Sequence, residues 1–423
     1  MRAPRTKRGP TGRRPIALAR SRVRWRAAVT AAAALLCLAI TALALVTAPR
    51  GAAAGGGTGT GGAGSASPYR GDGMWIWYVS RSSGGDPQRI ARKAKGHGID
   101  TVYIKSSDGG NVWTQFSRTL VSSLHQQGLR VCAWQFVYGH HPGAEARLGA
   151  GAVAKGADCL VIDAESTYEG RYAAADTYVD KLRNRIGANF PTALASFPYN
   201  DFHPSLPYSV FLGPGGALYN LPQVYWHTIG DGVGEAYKHT FTYNRVYQRP
   251  IYPLGQTFGH PPIKQVQRFR KYAITYGFGG VSWWVWQETT KREWQALGRN
   301  ITTGVTGARR THAYPNLSRG SRGDLVVWAQ EHLRGAGQSV PVTGVYGRST
   351  VLAVKRFQSS NGVDVDGRIG PRTWRRLLDV TPKMVDWSGR RPPRSAKVSQ
   401  AREPRSADLP ARRDEIPPPS QRH

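Results

Sequence analysis

The chain has 423 residues, of which 40% are apolar, 10% aromatic and 20% charged. This composition excludes a collagen, a wholly disordered chain and a polytopic membrane protein, and the length allows two domains with extensions. The net charge of +32 favours polyanionic partners, either nucleic acid or a bacterial wall that carries carboxylates and phosphates.

The N-terminal region predicts export of the rest of the chain. Residues 1–26 form a basic cytoplasmic segment, and the apolar run 27–46 is long enough as a helix to span a bilayer. We favour a transmembrane anchor over a cleaved signal peptide, the alternative that the weakly hydrophobic, Ala-rich run supports. The Gly/Ala-rich residues 47–68 then form a linker. The chain is therefore expected outside the cytoplasmic membrane, anchored or secreted.

Residues 69–310 alternate eight times between a β-rich run and a helical run or loop. The predicted strands are 74–79, 101–106, 130–138, 159–165, 192–197, 222–226, 250–256 and 280–286. Such alternation predicts parallel strands joined by crossovers, and eight units match a closed (β/α)8 TIM barrel of the α/β class. An open doubly wound sheet is the alternative.

Residues 311–379 form a small all-α C-terminal domain with an internal repeat. The motif of Gly344–Thr350 recurs at Gly367–Thr373, and each copy is a glycine turn followed by a helix start. Thr350 and Thr373 are placed as helix N-caps. The Pro- and Arg-rich residues 380–423 are predicted to be a disordered basic tail.

This small domain resembles the peptidoglycan-binding domain of the three-helix type over about 55 residues. The residues that carry the resemblance are Gly323, Asp324, Leu325, Val326, Ala329, Gln330, Leu333, Gly344, Val345, Tyr346, Gly347, Thr350, Ala353, Val354, Phe357, Gln358, Gly362, Val363, Asp366, Gly367, Gly370, Thr373, Trp374 and Leu377. Thr343 departs from the pattern, since many members carry Asp before the first glycine. The resemblance implies a module that docks on cell-wall peptidoglycan.

Two carboxylates end the fourth predicted barrel strand. Asp163 and Glu165 are two residues apart, so both side chains point to the same side of the strand, at the end of a barrel where catalytic residues lie. Their proximity raises the pKa of one carboxyl, which leaves a protonated acid beside an ionised partner. A glycosidase needs this arrangement.

The Asp-x-Glu at this position resembles glycoside-hydrolase barrels that cleave amino-sugar polymers, both the Chalaropsis-type lysozymes and the chitinase-like group. The first strand ends without the Asp of the lysozyme group, and Val161 departs from the chitinase-like motif that Asp158, Asp163 and Glu165 match. The resemblance implies that Glu165 is the general acid. It implies that Asp163 assists a substrate acetamido group, which attacks in place of a protein nucleophile.

Two alternatives stay open. The carboxylates could pair with Lys105 or Arg171 as a buried salt network. The chain could also be a non-catalytic peptidoglycan-binding protein whose degenerate barrel only holds glycan, which the missing acid on strand one favours.

Aromatic and polar side chains at the other strand ends are predicted to bind sugar, because flat rings stack on sugar faces and polar groups bond hydroxyls. They are Trp75, Trp77, Lys105, Trp134, Tyr138, Tyr199, Gln223, Tyr225, Trp226, Gln256, Trp284 and Trp286. Glu288 and Asp201 are secondary acid candidates.

The remaining expectations concern partners and cysteines. We predict a monomer that binds a cell-wall glycan, with no cofactor, no metal site and no nucleic acid, since the basic tails contain few aromatic residues. Cys132 and Cys159 lie near the starts of neighbouring strands, so a disulfide is open, but two buried free thiols are favoured.

Overall fold

A computed structural model describes residues 67–389, so the predicted anchor at 27–46 and the distal tail lie outside the described residues. Twelve α-helices and nine β-strands alternate in the described part. Among these residues, no helix combines the length and the apolar character that crossing a bilayer requires.

Eight parallel strands form the barrel. The strands of the described region are β1 (Gly71–Ile76), β2 (Ile99–Asp108), β3 (Asn111–Val112), β4 (Arg130–Val137), β5 (Cys159–Ala164), β6 (Thr192–Ser196), β7 (Tyr219–Pro222), β8 (Leu254–Gln256) and β9 (Gly280–Trp284). Their order is β7-β6-β5-β4-β2-β1-β9-β8, with the short β3 antiparallel to β2. Parallel bridges Asn220–Ile251 and Gln223–Leu254 join the two ends of this order. The predicted α/β fold with a TIM barrel is confirmed.

The helices coat the barrel and form the small domain. They are α1 (Pro87–Lys95), α2 (Arg118–Gln126), α3 (Pro142–Ala154), α4 (Tyr172–Ile186), α5 (Tyr208–Leu212), α6 (Trp226–Ile229), α7 (Val233–Asn244), α8 (Ile263–Tyr276), α9 (Lys291–Leu297), α10 (Asp324–Gly335), α11 (Arg348–Ser360) and α12 (Pro371–Leu378). Local signals set several starts. Asp86 and Ser117 cap α1 and α2, and Thr290 forms a capping box with Glu293 at α9.

Side chains of alternating size fill the barrel interior. Trp75 and Trp134 occupy the inside of β1 and β4, and the small Ala193 and Ala195 face them from β6. The Tyr69 hydroxyl donates to the Leu160 carbonyl at 3.2 Å. This contact ties the residues that precede β1 to the start of β5 inside the barrel.

The expectation of free thiols is wrong. Cys132 and Cys159 form a disulfide between β4 and β5. The parallel register places the two residues directly opposite each other, with their Cα atoms 4.6 Å apart, and this separation lies within the range that a disulfide spans.

The sixth predicted strand is displaced along the chain. The sequence predicts a strand at 222–226, whereas β7 ends at Pro222 and α6 begins at Trp226. Pro222 has no N–H with which to continue the ladder, and the chain turns immediately after it. Trp226 therefore starts a helix rather than ending a strand.

Two equivalent turns organise the small domain. Gly344 and Gly367 adopt positive φ angles of 65° and 73°, which explains the repeated glycine. The prediction that Thr350 and Thr373 are N-caps is wrong, because α11 and α12 begin two residues earlier. Instead each threonine hydroxyl accepts a hydrogen bond from a buried glutamine amide, at 2.9 Å from Gln330 and at 3.1 Å from Gln358.

The segment after α12 packs against the body, although the sequence assigns it to a disordered tail. The N–H of Val385 donates to Glu331 at 3.1 Å, and the N–H of Trp387 donates to Asp176 at 2.8 Å. The Trp387 ring lies 4.8 Å from the Tyr172 ring of α4. These contacts fix residues 380–389 between the small domain and the barrel.

A buried carboxyl joins the small domain to the barrel. Asp324, the first residue of α10, accepts hydrogen bonds from the Tyr172 hydroxyl at 2.9 Å and the Tyr247 hydroxyl at 2.8 Å. Ser209 donates to it twice, from its N–H at 2.8 Å and its hydroxyl at 2.7 Å. All ten residues from Asp324 to Leu333 are buried, so α10 lies between the barrel and the other two helices of its domain.

We expect Asp324→Ala to lower the free energy of unfolding by about 3 kcal/mol, because buried donors lose their acceptor. Burial raises the pKa of Asp324 from 3.8 to about 6. The stabilisation from this carboxyl is therefore complete below pH 3.8 and is lost as the pH rises through 6. Calorimetry on both sides of pH 6 should show the larger loss on the acid side.

Asp364→Ala is the control, since Asp364 is exposed and pairs with the exposed Arg372 at 3.2 Å. Such a pair contributes less than about 1 kcal/mol. Equal melting temperatures for wild type and Asp324→Ala would show that the junction depends on other contacts.

Candidate active site

One glutamine amide connects the two predicted catalytic carboxyls. Asp163 lies near the end of β5 on the face that Cys159 and Val161 also present to the barrel interior, and Glu165 follows directly after the strand. The Gln223 amide nitrogen donates to Asp163 Oδ1 at 3.0 Å and to Glu165 Oε1 at 3.0 Å. The structure therefore brings both carboxyls together at the mouth of the barrel.

Burial controls the protonation of this pair. It raises the pKa of Asp163 well above its usual value, and the negative charge of Glu165 adds to the effect. Burial also raises the pKa of Glu165. Asp163 is 4% exposed, whereas Glu165 is partly exposed to the cavity. The pair thus binds a proton more tightly than ordinary carboxyls do, and Glu165 is the more accessible member.

The alternative of a buried salt network is not what the described residues show. Within residues 67–389, neither Asp163 nor Glu165 forms an ion pair within 4.0 Å. Lys105 pairs instead with Asp108, at 2.5 Å, and Arg171 is exposed. The acidic pair is held by an amide and not neutralised by a direct cation.

Lys105 lies in an aromatic box. Its Nζ is 4.5 Å from the centre of the Trp77 ring, 4.4 Å from that of Trp113 and 4.9 Å from that of Trp134. Asp108, its partner, also accepts from the Tyr138 hydroxyl at 2.8 Å. Rings and carboxylate together hold a buried ammonium group in place beside the cavity.

Four tryptophans form the floor of the cavity. Trp284 lies 5.6 Å from Trp75, 5.5 Å from Trp77 and 5.4 Å from Trp134, measured between ring centres. The cavity has a volume of about 260 Å³. A wall of rings around two carboxyls fits the face of a sugar ring.

Most of the predicted site residues line this one cavity. They are Trp75, Trp77, Lys105, Trp134, Tyr138, Asp163, Glu165, Gln223, Tyr225 and Trp284, with the secondary candidate Glu288 at its mouth. Four predicted sugar-binding residues, Tyr199, Trp226, Gln256 and Trp286, do not line this cavity. The secondary candidate Asp201 does not line it either, and pairs with His239 at 2.7 Å.

Tyr199 and Trp226 belong to the layer outside the barrel. The Tyr199 ring stacks on His239 at 3.8 Å and its hydroxyl donates to Asp231. The Trp226 ring stacks on Phe269 of α8 at 4.7 Å. Tyr199 is in the loop after β6 and Trp226 begins α6, so strand alternation does not apply to either residue.

Gln256 and Trp286 have structural contacts. The side-chain oxygen of Gln256 accepts from the N–H groups of His227 and Thr228, at 2.9 and 3.1 Å, and so fixes the start of α6. Trp286 packs on Trp294 of α9 at 4.8 Å. It does not share the face of Trp284 because β9 ends at Trp284 and the alternation stops there.

Sequence reasoning missed Asp108, together with the cavity-lining residues Phe136, Phe197, Pro198, Thr228, Ile229, Leu254 and Phe258. β2 runs two residues beyond its predicted end, and an irregularity between Lys105 and Ser107 shifts its register against β4. This shift lets Lys105 and Asp108, three residues apart, face the same cavity. The sequence signal that could have identified Asp108 is its position two residues after the predicted strand 101–106.

Comparison with known families identifies the small domain. The family described as "Putative peptidoglycan binding domain" matches residues 322–377. The C-terminal unit is a domain of this type. The resemblance predicted for it is confirmed, and the match covers the three helices α10, α11 and α12.

Other known proteins match parts of the chain. A zinc D-Ala-D-Ala carboxypeptidase of Streptomyces albus G is 34% identical over 91 residues, which cover 17% of this chain and 36% of that protein. The chain thus spans about a third of the length of that curated relative.

Among solved structures, the spore cortex-lytic enzyme of Bacillus cereus superposes with a TM-score of 0.40 at 11% identity and covers 56% of this chain and 76% of its own. A class V chitinase of Pseudomonas fluorescens gives 0.41 at 12% identity, with 53% and 98% covered.

Proposed function

We propose that this protein is a cell-wall-bound glycoside hydrolase that cleaves an amino-sugar glycan, with Glu165 as the general acid. The observation that carries the proposal is the pair Asp163–Glu165, bridged by Gln223 at the floor of a ring-lined cavity and free of a direct ion pair within the described part of the chain. A raised pKa keeps a proton available on the pair.

The position of the two carboxyls favours assistance by the substrate. They are two residues apart on one side of the cavity and share one amide, so they do not face each other across a bond as a retaining pair does. Glu165 would donate its proton to the leaving glycosidic oxygen as the C1–O bond breaks. The acetamido oxygen of the substrate would attack C1, with Asp163 orienting the amide, and water would then open the ring intermediate.

Two further features support a saccharide in the cavity. The indole Nε1 of Trp77, a residue of the cavity lining, is buried and has no hydrogen-bond partner among the described residues, so an unsatisfied donor lies beside the cavity. Tyr225 lines the same cavity, and burial together with the charges of Asp163 and Glu165 raises the pKa of its hydroxyl. That hydroxyl therefore stays a donor near the reacting groups.

The small domain would bind the peptidoglycan of the cell wall. Because α10 is buried at the junction, peptidoglycan would contact the outer surface of α11 and the loop that joins α11 to α12, where Leu352 and Val365 are exposed at 47% and 52%. The Cys132–Cys159 disulfide supports an oxidising location outside the cytoplasmic membrane.

A non-catalytic wall-binding protein is the second candidate. The observation in its favour is that β1 ends in Trp75 and Ile76 and places no acid in the cavity. Such a protein would bind peptidoglycan and chitin oligomers without cleaving them.

An assay for new reducing ends distinguishes the two candidates. We expect the full chain to release them from peptidoglycan or chitin oligomers, with kcat/KM falling as the pH rises through the raised pKa of Glu165. This alkaline limb should lie above 4.5, the ordinary value for Glu. Saturable binding of both polymers with no reducing ends at any pH would contradict hydrolysis and favour the second candidate.

A further inference from the structure

A second and larger cavity lies where the barrel meets the small domain. It has a volume of about 680 Å³ and shares no lining residue with the candidate active site. The residues 250–252 and 277–279 on its wall precede β8 and β9, so the cavity opens at the end of the barrel opposite to the carboxyl pair. Its size is in the range of ligand pockets.

Positive charge dominates this junction cavity. Arg245, Arg249, Arg310 and Arg375 line it, with Asp379 as its one acidic residue. Within residues 67–389, none of the four arginines forms an ion pair within 4.0 Å. The cavity therefore carries an excess of positive charge that the described residues do not neutralise.

Aromatic rings fix two of the guanidinium groups. The Arg245 guanidinium carbon lies 4.0 Å from the centre of the Tyr314 ring and 4.9 Å from that of Phe241. The Arg310 guanidinium lies 5.4 Å from the same Phe241 ring. Two cations on one ring repel each other. Burial lowers the pKa of Arg245, and the charges of Arg310 and Arg375 lower it further.

Backbone carbonyls hold a third guanidinium group, that of Arg249. Arg249 donates from Nε to the Leu212 carbonyl at 2.7 Å and from Nη2 to the Gly213 carbonyl at 2.6 Å. Carbonyl oxygens orient the guanidinium but carry no net charge, so the positive charge stays uncompensated. A fixed guanidinium loses little conformational entropy when it binds an anion.

We infer that the junction cavity is a binding site for phosphate groups, carried by a phosphodiester-linked polyol or sugar chain. Guanidinium forks match phosphate oxygens in geometry, and several fixed cations against one carboxylate call for a ligand with more than one negative charge. The rings of Tyr252, Tyr276 and Phe278 supply apolar surface for the linking polyol or sugar. A wall polymer of this chemistry would be held at the barrel base, whether or not the other end hydrolyses glycan.

The test measures binding of three probes to the full chain at fixed ionic strength by calorimetry: inorganic phosphate, polyglycerol phosphate and polyglutamate. We expect saturable binding of the two phosphate probes. The double variant Arg310→Glu/Arg375→Glu should weaken it by roughly tenfold or more, because both side chains are exposed and reverse the charge of the cavity.

Arg309→Glu/Arg376→Glu is the matched control, since these exposed arginines adjoin the first pair in sequence but do not line the cavity. It should change affinity by less than about threefold. Tighter binding of the polymer than of inorganic phosphate assigns the site to a chain, and equal binding assigns it to a single phosphate group. An equal loss in both double variants, equal binding of polyglutamate, or no saturable binding would overturn the inference.

Discussion

Replacement of Glu165 by Gln is expected to lower kcat/KM on amino-sugar polymers by roughly 10³-fold. In the wild type the Gln223 amide nitrogen donates to Glu165 Oε1 at 3.0 Å. Gln has nearly the same shape as Glu and keeps an oxygen that accepts this hydrogen bond, so the variant should keep the shape of the cavity. The amide N–H of Gln is too weak an acid to protonate the leaving oxygen. The reducing-end assay should therefore lose its signal while binding to peptidoglycan is retained, and any residual rate should lose its alkaline limb.

Glu288→Gln provides the control within the same cavity. Glu288 is an exposed residue at the mouth, and the structure shows no hydrogen bond from it to the carboxyl pair. We expect a change of less than about threefold, within what an exposed charge contributes. If Glu288→Gln abolishes cleavage and Glu165→Gln does not, the general acid is Glu288 and not Glu165.

The second large effect is expected for Asp163→Asn, a loss of roughly 10²-fold in kcat with a smaller change in KM. Asn keeps a hydrogen-bonding oxygen but cannot become negative, so it cannot stabilise the positive charge that develops as the acetamido group attacks. The charge of Glu165 is one cause of the raised pKa of Asp163, so the two carboxyls titrate as a pair. Removal of the Asp163 carboxylate leaves Glu165 without a like charge beside it, and the alkaline limb of the activity should move to lower pH.

Steady-state kinetics on chitin oligomers measures both parameters and the position of the limb. Asp201→Asn is the control, because Asp201 is bound to His239 at 2.7 Å and does not line the cavity. An unchanged limb together with a normal kcat in Asp163→Asn would remove Asp163 from the mechanism and leave it a structural role.

Strand positions in the barrel were predictable because each buried strand is a short β-rich run bounded by turn residues. All eight predicted strands overlap an observed one, and the interior positions of β4 and β5 follow from alternation. The acidic pair was predictable for the same reason, since Asp163 shares a face with Val161. Closure of the barrel came from the count of units rather than from any local signal.

Other parts of the site depend on geometry that alternation cannot express. The irregularity in β2 turns Asp108 toward Lys105, and the early end of β9 turns Trp286 away from Trp284. A register shift of one residue reverses every side chain that follows it. The disulfide was missed because the sequence leaves the relative register of β4 and β5 undetermined.

In the small domain the turns were predictable from the sequence, whereas the hydrogen bonds of the threonines were not. Its glycine turns were readable because positive φ restricts the residue type, and its family followed from those turns. The prediction for Thr350 and Thr373 was wrong because a threonine near a helix start can act as the N-cap or, one turn into the helix, accept a hydrogen bond from another side chain. Only the tertiary position of Gln330 and Gln358 decides between the two.

The embedding of α10 has a consequence for how the molecule meets its surroundings. Asp324 is hydrogen-bonded to three barrel side chains, and the segment that ends near Trp387 folds back onto α4, so these contacts hold the small domain in one orientation relative to the barrel. A polymer bound to the small domain would therefore reach the ring-lined cavity of the barrel from a single direction.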